Sequence, residues 1–367
     1  MSGRILIVGG GVAGFTAAIA FRLKGFEPTV VELHGKPHGS GLGIGGRALE
    51  ALDDLGAALP LIARATPTDR MTFCDAHGKV VEETPYPASN RPHLPPHITM
   101  SRASLAQVLL DRAAELEIDV RIGVTWRKLE QVADRVLVTL TDGTQDRYDL
   151  AIAADGAYSK TREQIVGHPV MLEFLRQGAW RWMTSWAQCQ PSGRNYLTPH
   201  IKMGAFPLPD NELYLFATQN FASKPWMDEA RLGELFADVL AQFDIPSIRE
   251  YRERISGPHR ITFRPLEAYL MPSPWAKGRI VAIGDAAHTL APHLASGAGL
   301  AIEDAWVLAD CVSTESSWKV ALERFMTRRY ERTRVIYEAS NALCNWESTT
   351  DFTTRRKRSR VWLENPL

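Results

Sequence analysis

The chain has 367 residues, more than one compact core usually holds, so one large or two closely joined domains are expected. Its 42 basic and 42 acidic residues cancel, which removes the electrostatic pull toward nucleic acid or an anionic membrane. With 45% hydrophobic and 23% charged residues the composition is that of an ordinary globular protein, and no apolar run is long enough to span a bilayer.

The opening "MSGRILIVGGG" runs straight into a strand without a charged-then-apolar leader, so no secretory signal is expected. Cys74, Cys189, Cys311 and Cys344 lie far apart without metal-like spacing and read as reduced thiols of a cytoplasmic protein. The stretch "RILIVGGGVAGFTAAIAFRLKGFEPTVVEL" is an apolar strand, a glycine turn, a helical pattern and a second β-branched strand. Gly9, Gly11 and Gly14 make G-x-G-x-x-G. The first glycine permits the tight turn, the second lets backbone approach a pyrophosphate, and the third lets helix pack on strand. Glu32 follows Gly11 by 21 residues at the end of the second strand, where an acid can accept from both ribose hydroxyls of an adenosine. An adenine dinucleotide is the expected ligand.

Residues 82–97, "EETPYPASNRPHLPPH", are too proline-rich for a helix and read as a linker or edge segment. His34 with His38, and His93 with His97, have i,i+4 spacing in Gly- or Pro-rich segments that lack a third ligand, so no metal site is expected. "YDLAIAADGAYSKTREQI" is a strand, then Asp155-Gly156, then Ser159 and Arg162 at a helix start. Residues 171–274 alternate like antiparallel strands in "GAWRWMTSWAQ", "HIKMGAFPLP" and "ELYLFATQNF", with "DEARLGELFADVLAQF" as an amphipathic helix outside them. "RIVAIGD" is a further buried strand ending in Gly-Asp. The helix "LASGAGLAIEDAWVLADCV" follows, with Gly297 and Gly299 at its mouth. Asp285 at a strand end suits a polyol hydroxyl, and the helix N-terminus suits a group that becomes negative. A reduced flavin meets both requirements, so one FAD held non-covalently at both ends explains the two loops. The last helix, "ALERFMTRRYERTRVIYEASNALCNW", is expected to brace the two domains, and the tail "RRKRSR" to be a solvated end.

These three motifs, in this order, resemble those of the class A flavoprotein aromatic monooxygenases, of the 4-hydroxybenzoate and salicylate hydroxylase type. "PHLASGAGLAIEDA" looks more like the salicylate and pyridine-ring branch. The resemblance implies an α/β fold: a Rossmann-like FAD-binding domain (GR2-type) with an inserted, mostly antiparallel β-sheet substrate domain and a C-terminal helix. The expected division is 1–75, 98–170 and 275–330 for FAD, 76–97 and 171–274 for substrate, and 331–367 for helix and tail. It further implies FAD contacts at Gly9, Gly11, Ala13, Gly14, Glu32, Arg47, Arg102, Val124, Asp155, Gly156, Asp285, Pro292, Ser296, Gly297, Ala298 and Gly299. Arg47 replaces a frequent asparagine, Ser296 stands where many members have Gln or Ala, and Gly299 where one branch has Asn.

The activity implied is hydroxylation of a small aromatic or N-heteroaromatic substrate through a C4a-hydroperoxyflavin, with NAD(P)H as transient co-substrate and O2 as oxidant. Candidate catalytic residues are Arg181, to anchor a substrate carboxylate or steer flavin movement, Tyr214 and His200, as base or relay for a phenol, and His293 beside Pro292. Met203, Phe206 and Phe216 would line an aromatic slot if their strands face inward. A tryptophan-rich "WRWMTS" lacks the isoleucine and proline of flavin-dependent halogenases. Neither nucleic acid nor membrane is expected as partner, and the chain reads as a monomer or homodimer. A flavin reductase or dehydrogenase of a quinone- or isoprenoid-like molecule is the second reading, and a non-catalytic FAD-binding protein the third. Epoxidation and Baeyer–Villiger outcomes stay open.

Overall fold

A computed structural model describes residues 3–35, 40–185, 193–255 and 261–349; His38, Cys189 and the basic stretch 355–360 lie outside the described residues. Five parallel strands form the heart of the first half. Across the sheet they run Asp119–Ile122, Glu27–Glu32, Arg4–Val8, Leu150–Ala153 and Ile280–Ala282, with Ala276–Lys277 antiparallel at the edge. Both faces of these strands are covered, so they read as near-continuous apolar runs such as "RILIV" and "LAIA". The helices Val12–Leu23, Arg102–Glu115 and Gly297–Thr314 pack together on the sheet. An antiparallel meander, Trp126–Val132, Arg135–Leu140 and Gln145–Tyr148, packs its apolar residues into the same core. Reading the strands in chain order gives 3-2-1-4-5, so the order reverses between Arg4–Val8 and Leu150–Ala153. Ligands of such sheets bind at the carboxyl ends beside that reversal.

The second sheet has eight strands in the order His288–Thr289, Thr262–Leu270, Glu173–Ser185, Glu212–Asn220, Ile201–Pro207, Arg194–Leu197, Arg70–Asp75 and Val80–Pro85. It is antiparallel except where Arg194–Leu197 meets Arg70–Asp75. Val80–Pro85 is its edge strand, where the prolines that follow cost no ladder hydrogen bond. The strand Arg70–Asp75 belongs to this sheet, so the sheet takes up the chain before the expected boundary at residue 75. The expected boundary at 330 likewise falls inside a continuous helix, Trp318–Thr349. That helix packs on Gly297–Thr314 and on the strand Glu173–Ser185, touching both halves. The short strands Gly41–Gly45, His97–Ser101 and Thr66–Thr68 form a small sheet between the two large ones.

Two cores result. The larger joins the parallel sheet to its helices. The second lies on the outer face of the eight-stranded sheet, where Trp180, Trp182, Met203, Ala205, Leu213 and Leu215 meet Phe236, Val239 and Leu240 of the amphipathic helix Leu232–Leu240. Among the described residues, no helix is long and apolar enough to cross a membrane.

Candidate active site

Four motif residues stand at the carboxyl ends of adjacent parallel strands. Gly9 follows Val8, Glu32 ends its strand, Asp155 follows Ala153 by two residues, and Asp285 follows Ala282 by three. Gly9 has φ of +105°, and a Cβ there would lie 2.3 Å from the Ala154 carbonyl oxygen. A Cβ on Gly14 would lie 1.8 Å from the Gly9 oxygen, so the helix can sit this close only on a glycine. Gly11 differs: it caps the helix without a side-chain bond, and a Cβ there would meet nothing within 4 Å. An uncapped helix N-terminus beside open space is what a pyrophosphate requires. Glu32 accepts from Gly10 N at 2.6 Å and His34 N at 2.7 Å, which fixes its carboxylate beside the turn. Val124 N donates to the Glu32 carbonyl at 3.2 Å, so Val124 borders the same corner.

Asp155 departs from expectation in its side chain. Its carboxylate is turned inward, accepting from Ser159 Oγ and from Thr161 N and Oγ1 at 3.0 and 2.8 Å. Half-buried Asp155 and Gly156 follow the strand end beside the first loop. Ser159 caps the helix Lys160–Val166, and Arg162, buried, donates to the carbonyls of Ala286 at 3.1 Å and Ala157 at 3.0 Å. The D-G-x-x-S-x-x-R motif thus ties this turn to the loop carrying Asp285.

That loop is built from below. Gly284 has φ of +58° and packs where a Cβ would lie 2.9 Å from Ala13 Cβ and 3.1 Å from Ala301 Cβ, bringing the first and second loops into contact. Its N–H donates to Asp304 at 3.0 Å; Asp304 also pairs with His288 Nε2 at 2.5 Å and Arg329 Nε at 2.7 Å. Burial pushes the Asp304 carboxyl up, but His288 and Arg329 outweigh it and hold it at about 2. His288 is therefore a local hydrogen-bonding residue of the loop, completely buried. Asp285 itself is half-buried, with no protein partner for its carboxylate among the described residues. Pro292 opens a short turn that ends at Ala295 (φ +51°), and Ser296 turns its hydroxyl back to Leu294 O at 2.9 Å. The first amides of the helix, at Gly297, Ala298 and Gly299, are left without a side-chain cap. A Cβ on Gly299 would sit 3.4 Å from Ala48, so Arg47, exposed, stands at the mouth of the same opening.

The eight-stranded sheet closes the site, and its register decides which side chains face it. Side chains alternate along a strand. Strand pairing sets three rows on the inner face: Met183, Tyr214 and Phe206; Arg181, Phe216 and Gly204; Ala179, Thr218 and Lys202. Met203 lies on the other face, in the core beneath the outer helix, because it is an odd number of residues from Phe206. The first row meets the strand Gly41–Gly45: a Cβ on Gly41 would lie 2.3 Å from the Tyr214 ring. The third row meets the turn at Ala291, with Ala179 packed against Ala291 and Cys344. The middle row therefore spans the gap between that strand and the second loop. Arg181, Met183, Phe206 and Phe216 remain half-buried there, while Tyr214 and the third row of Ala179, Thr218 and Lys202 are buried. Phe206 and Phe216 stack at 6.1 Å and 7°.

Burial pushes the Tyr214 phenol up, with Arg181 and Arg102 as partial counterweights and Ser40 in polar reach. Such a phenol keeps its proton at neutral pH and can offer its O–H as a hydrogen-bond donor. His200 is not brought here. It is exposed in the turn before Ile201–Pro207, six residues from Phe206, or about 20 Å along the strand. His93 pairs with Asp53 at 3.0 Å, while His97 stacks on Tyr86 at 4.2 Å, so this pair diverges. Burial takes His97 down to about 4 and Tyr86 up to about 12. A Cβ on Gly43 would collide with His97. Glycine at 41, 43 and 45 is a bare strand face, a period-two signal in the sequence that marks this wall.

Glycine cradle, ribose acid, free Asp285 carboxylate and uncapped second helix together suit an adenine dinucleotide ending in a flavin, roofed by aromatic side chains. The FAD binding domain family matches residues 3–315, and the chain belongs to it. It is 28% identical over 343 residues to the putative FAD-dependent monooxygenase YetM of Bacillus subtilis (strain 168), with 92% of each chain covered. It is 28% identical over 376 residues to the 2-heptyl-3-hydroxy-4(1H)-quinolone synthase of Pseudomonas aeruginosa (strain UCBPP-PA14), covering 99% of this chain and 93% of that one. Klebsiella pneumoniae HpxO complexed with FAD and uric acid has the same fold, with TM-score 0.86 at 20% identity and coverage of 99% and 93%. The protein is an FAD-dependent flavoprotein monooxygenase of class A.

Proposed function

We propose that this monooxygenase hydroxylates a small, electron-rich aromatic or N-heteroaromatic compound that carries an anionic group. The observation that carries the reading is the half-buried middle of the roof, where Arg181 pairs with Phe216 in register with its side chain in hydrogen-bond reach of Tyr214, and Phe206 stacks on Phe216. A flat ring suits the two phenyl faces, and a carboxylate or ionised oxygen suits the guanidinium.

In this reading Gly9, Gly11, Ala13 and Gly14 hold the pyrophosphate, Glu32 and Val124 the adenosine, and Asp285 the ribitol. Ser296, Gly297, Ala298 and Gly299 offer helix amides to the flavin's N1–C2=O edge, next to Pro292. Arg47 and Arg102 stand at the mouth, and Asp155 and Gly156 contribute backbone. Bound FAD supplies the redox chemistry between NAD(P)H and O2. The chain's own contribution is to orient the ring, exclude water and stabilise the ionised ring oxygen. Tyr214 serves as a hydrogen-bond donor near Arg181, and His293 as the candidate proton acceptor. Buried free thiols at Cys74, Cys311 and Cys344 support a cytoplasmic setting.

The test is oxygen and NAD(P)H consumption by the purified yellow protein with hydroxybenzoates, hydroxypyridines and hydroxyquinolones, with products identified by mass. A product heavier by one oxygen is expected. Reduction of an added quinone without oxygen uptake would favour the reductase reading instead.

A further inference from the structure

One short segment of the last helix, residues 340–347, is anchored on two sides of the site. Toward the second loop, Ser340 Oγ donates to Ala291 O at 2.5 Å and accepts from Leu294 N at 3.3 Å, and Ala291 N donates to Asn341 Oδ1 at 3.0 Å. The turn Pro292–Leu294, which leads into the uncapped helix, is thereby held at both ends. Toward the roof, side chains from three neighbouring strands converge on the following turns of the same helix. Gln177 Nε2 donates to Cys344 O at 3.4 Å, Asn220 Nδ2 to Glu347 O at 3.5 Å, and Lys202 Nζ to Glu347 Oε1 at 2.7 Å. His293 Nε2 lies 3.0 Å from Glu347 Oε2, so this carboxylate stands where roof, helix and turn meet. The helix rises about 10 Å over this segment, which makes it a rigid link between the two walls.

The other contacts at this junction define its spacing only loosely. Leu175, Ala179, Ala291 and Cys344 meet as apolar groups, and such packing is non-directional. The two amide contacts are long. Lys202–Glu347 differs in being short, charged and nearly enclosed, with side chains 9% and 14% exposed. Burial pushes the Glu347 carboxyl up, but Lys202 and His293 outweigh it and hold it well below the usual carboxylate range, so it is ionised at pH 7. A buried ion pair is a weak source of stability, since apolar residues of similar volume often hold a fold as well or better. What it supplies is one preferred geometry. Lys202 shares the strand Ile201–Pro207 with Gly204 and Phe206, so where the pair holds Lys202 decides where the aromatic roof stands.

We infer that Lys202 and Glu347 are positioning residues: their ion pair fixes the spacing between the aromatic roof and the turn Pro292–Leu294, and with it the placing of a substrate ring between them. The inference rests on the reading of the roof as the substrate wall. Lys202 and Glu347 act through the rings of Phe206 and Phe216, which share the inner face with Lys202. A misplacement of about 1 Å costs on the order of 10²-fold in rate, so one of about 0.5 Å costs about tenfold.

Crystal structures of the FAD-loaded wild type and of the Lys202→Met/Glu347→Leu double variant test the spacing without turnover. Removing both charges strands neither partner, so the variant should bind FAD as wild type does and melt no lower. The expected result is a shift of the roof strands against the turn by more than about 0.5 Å. With an aromatic substrate, the hydroxylated product formed per NAD(P)H consumed should fall about tenfold, the remaining electrons appearing as hydrogen peroxide. A brace that served stability alone would lower the melting temperature and leave that ratio intact. Glu347→Asp keeps the charge but draws it back by one methylene; it should also move the roof and lower the ratio, and it carries the test if the double variant does not fold. A roof that stays in place, or a displaced roof with the wild-type ratio, overturns the inference. If the wild type hydroxylates no aromatic compound, the functional reading fails, while the crystal structures still decide whether the pair sets the spacing.

Discussion

Two glycines of the first loop should fail for opposite reasons. A methyl group on Gly14 would sit 1.8 Å from the Gly9 carbonyl oxygen, against about 3.3 Å for an ordinary carbon–oxygen contact. The helix Val12–Leu23 would have to retreat by more than about 1 Å from a turn that is itself locked by Gly9 against Ala154. Alanine gains about 1 kcal/mol over glycine in a helix, while overpacking of a rigid contact costs about 1–3 kcal/mol or more. The clash wins, so Gly14→Ala should destabilise the apoprotein by about 2 kcal/mol. Gly11 has an extended backbone (φ −84°, ψ −166°) that alanine adopts freely, and its methyl would meet no protein atom within 4 Å. Gly11→Ala should leave apoprotein stability within about 0.5 kcal/mol of wild type. Its methyl would nevertheless occupy the approach of the pyrophosphate, so FAD affinity should fall at least tenfold, or about 1.4 kcal/mol. Urea denaturation of the apoproteins and fluorescence titration with FAD separate the two effects. Wild-type FAD affinity in Gly11→Ala, or equal destabilisation by both substitutions, would refute the assignment of this loop.

Other consequences concern the roof and the loop beneath the flavin end. Arg181→Met should raise KM for an anionic ring substrate by roughly 10- to 100-fold while flavin content is unchanged, since a guanidinium–carboxylate contact is worth about 1.5–3 kcal/mol; neutral analogues should be affected far less. In Gly204→Val the new side chain would begin 2.1 Å from Phe216 and 2.6 Å from Phe206, so the two rings must swing into the gap. Flavin should be retained and product formation lost, larger substrates failing first in steady-state assays. Asp304, depressed to about 2 in the folded protein against about 3.9 when unfolded, contributes stability present above pH 4 and lost as pH falls through 2. That contribution is roughly 2 kcal/mol. Asp304→Asn should flatten the acid limb of the melting profile by that amount, while costing about 3–5 kcal/mol at pH 7 because buried Arg329 loses a partner.

The flavin end of this protein is legible in its sequence because each element of it is local. Gly9, Gly11 and Gly14 lie in one strand–turn–helix, Glu32 ends the next strand, and Gly284-Asp285 precedes a helix with an uncapped start. Short-range geometry dictates those residue types wherever the rest of the chain goes. Where an acid's oxygens turn is less legible: Asp155 reads as a ligand, and the structure adds that Ser159 and Thr161 hold its carboxylate within its own turn. The substrate end is decided by strand register, and a shift of one residue moves a side chain to the opposite face. Met203 and Phe206 look equivalent in an apolar strand until pairing with Phe216 and Tyr214 sends one to the outer core and the other to the gap. The same pairing leaves His200 in an exposed turn. Only the tertiary structure brings Lys202, Glu347 and His293 together, since the free energy of a buried charge depends on partners that lie far along the chain.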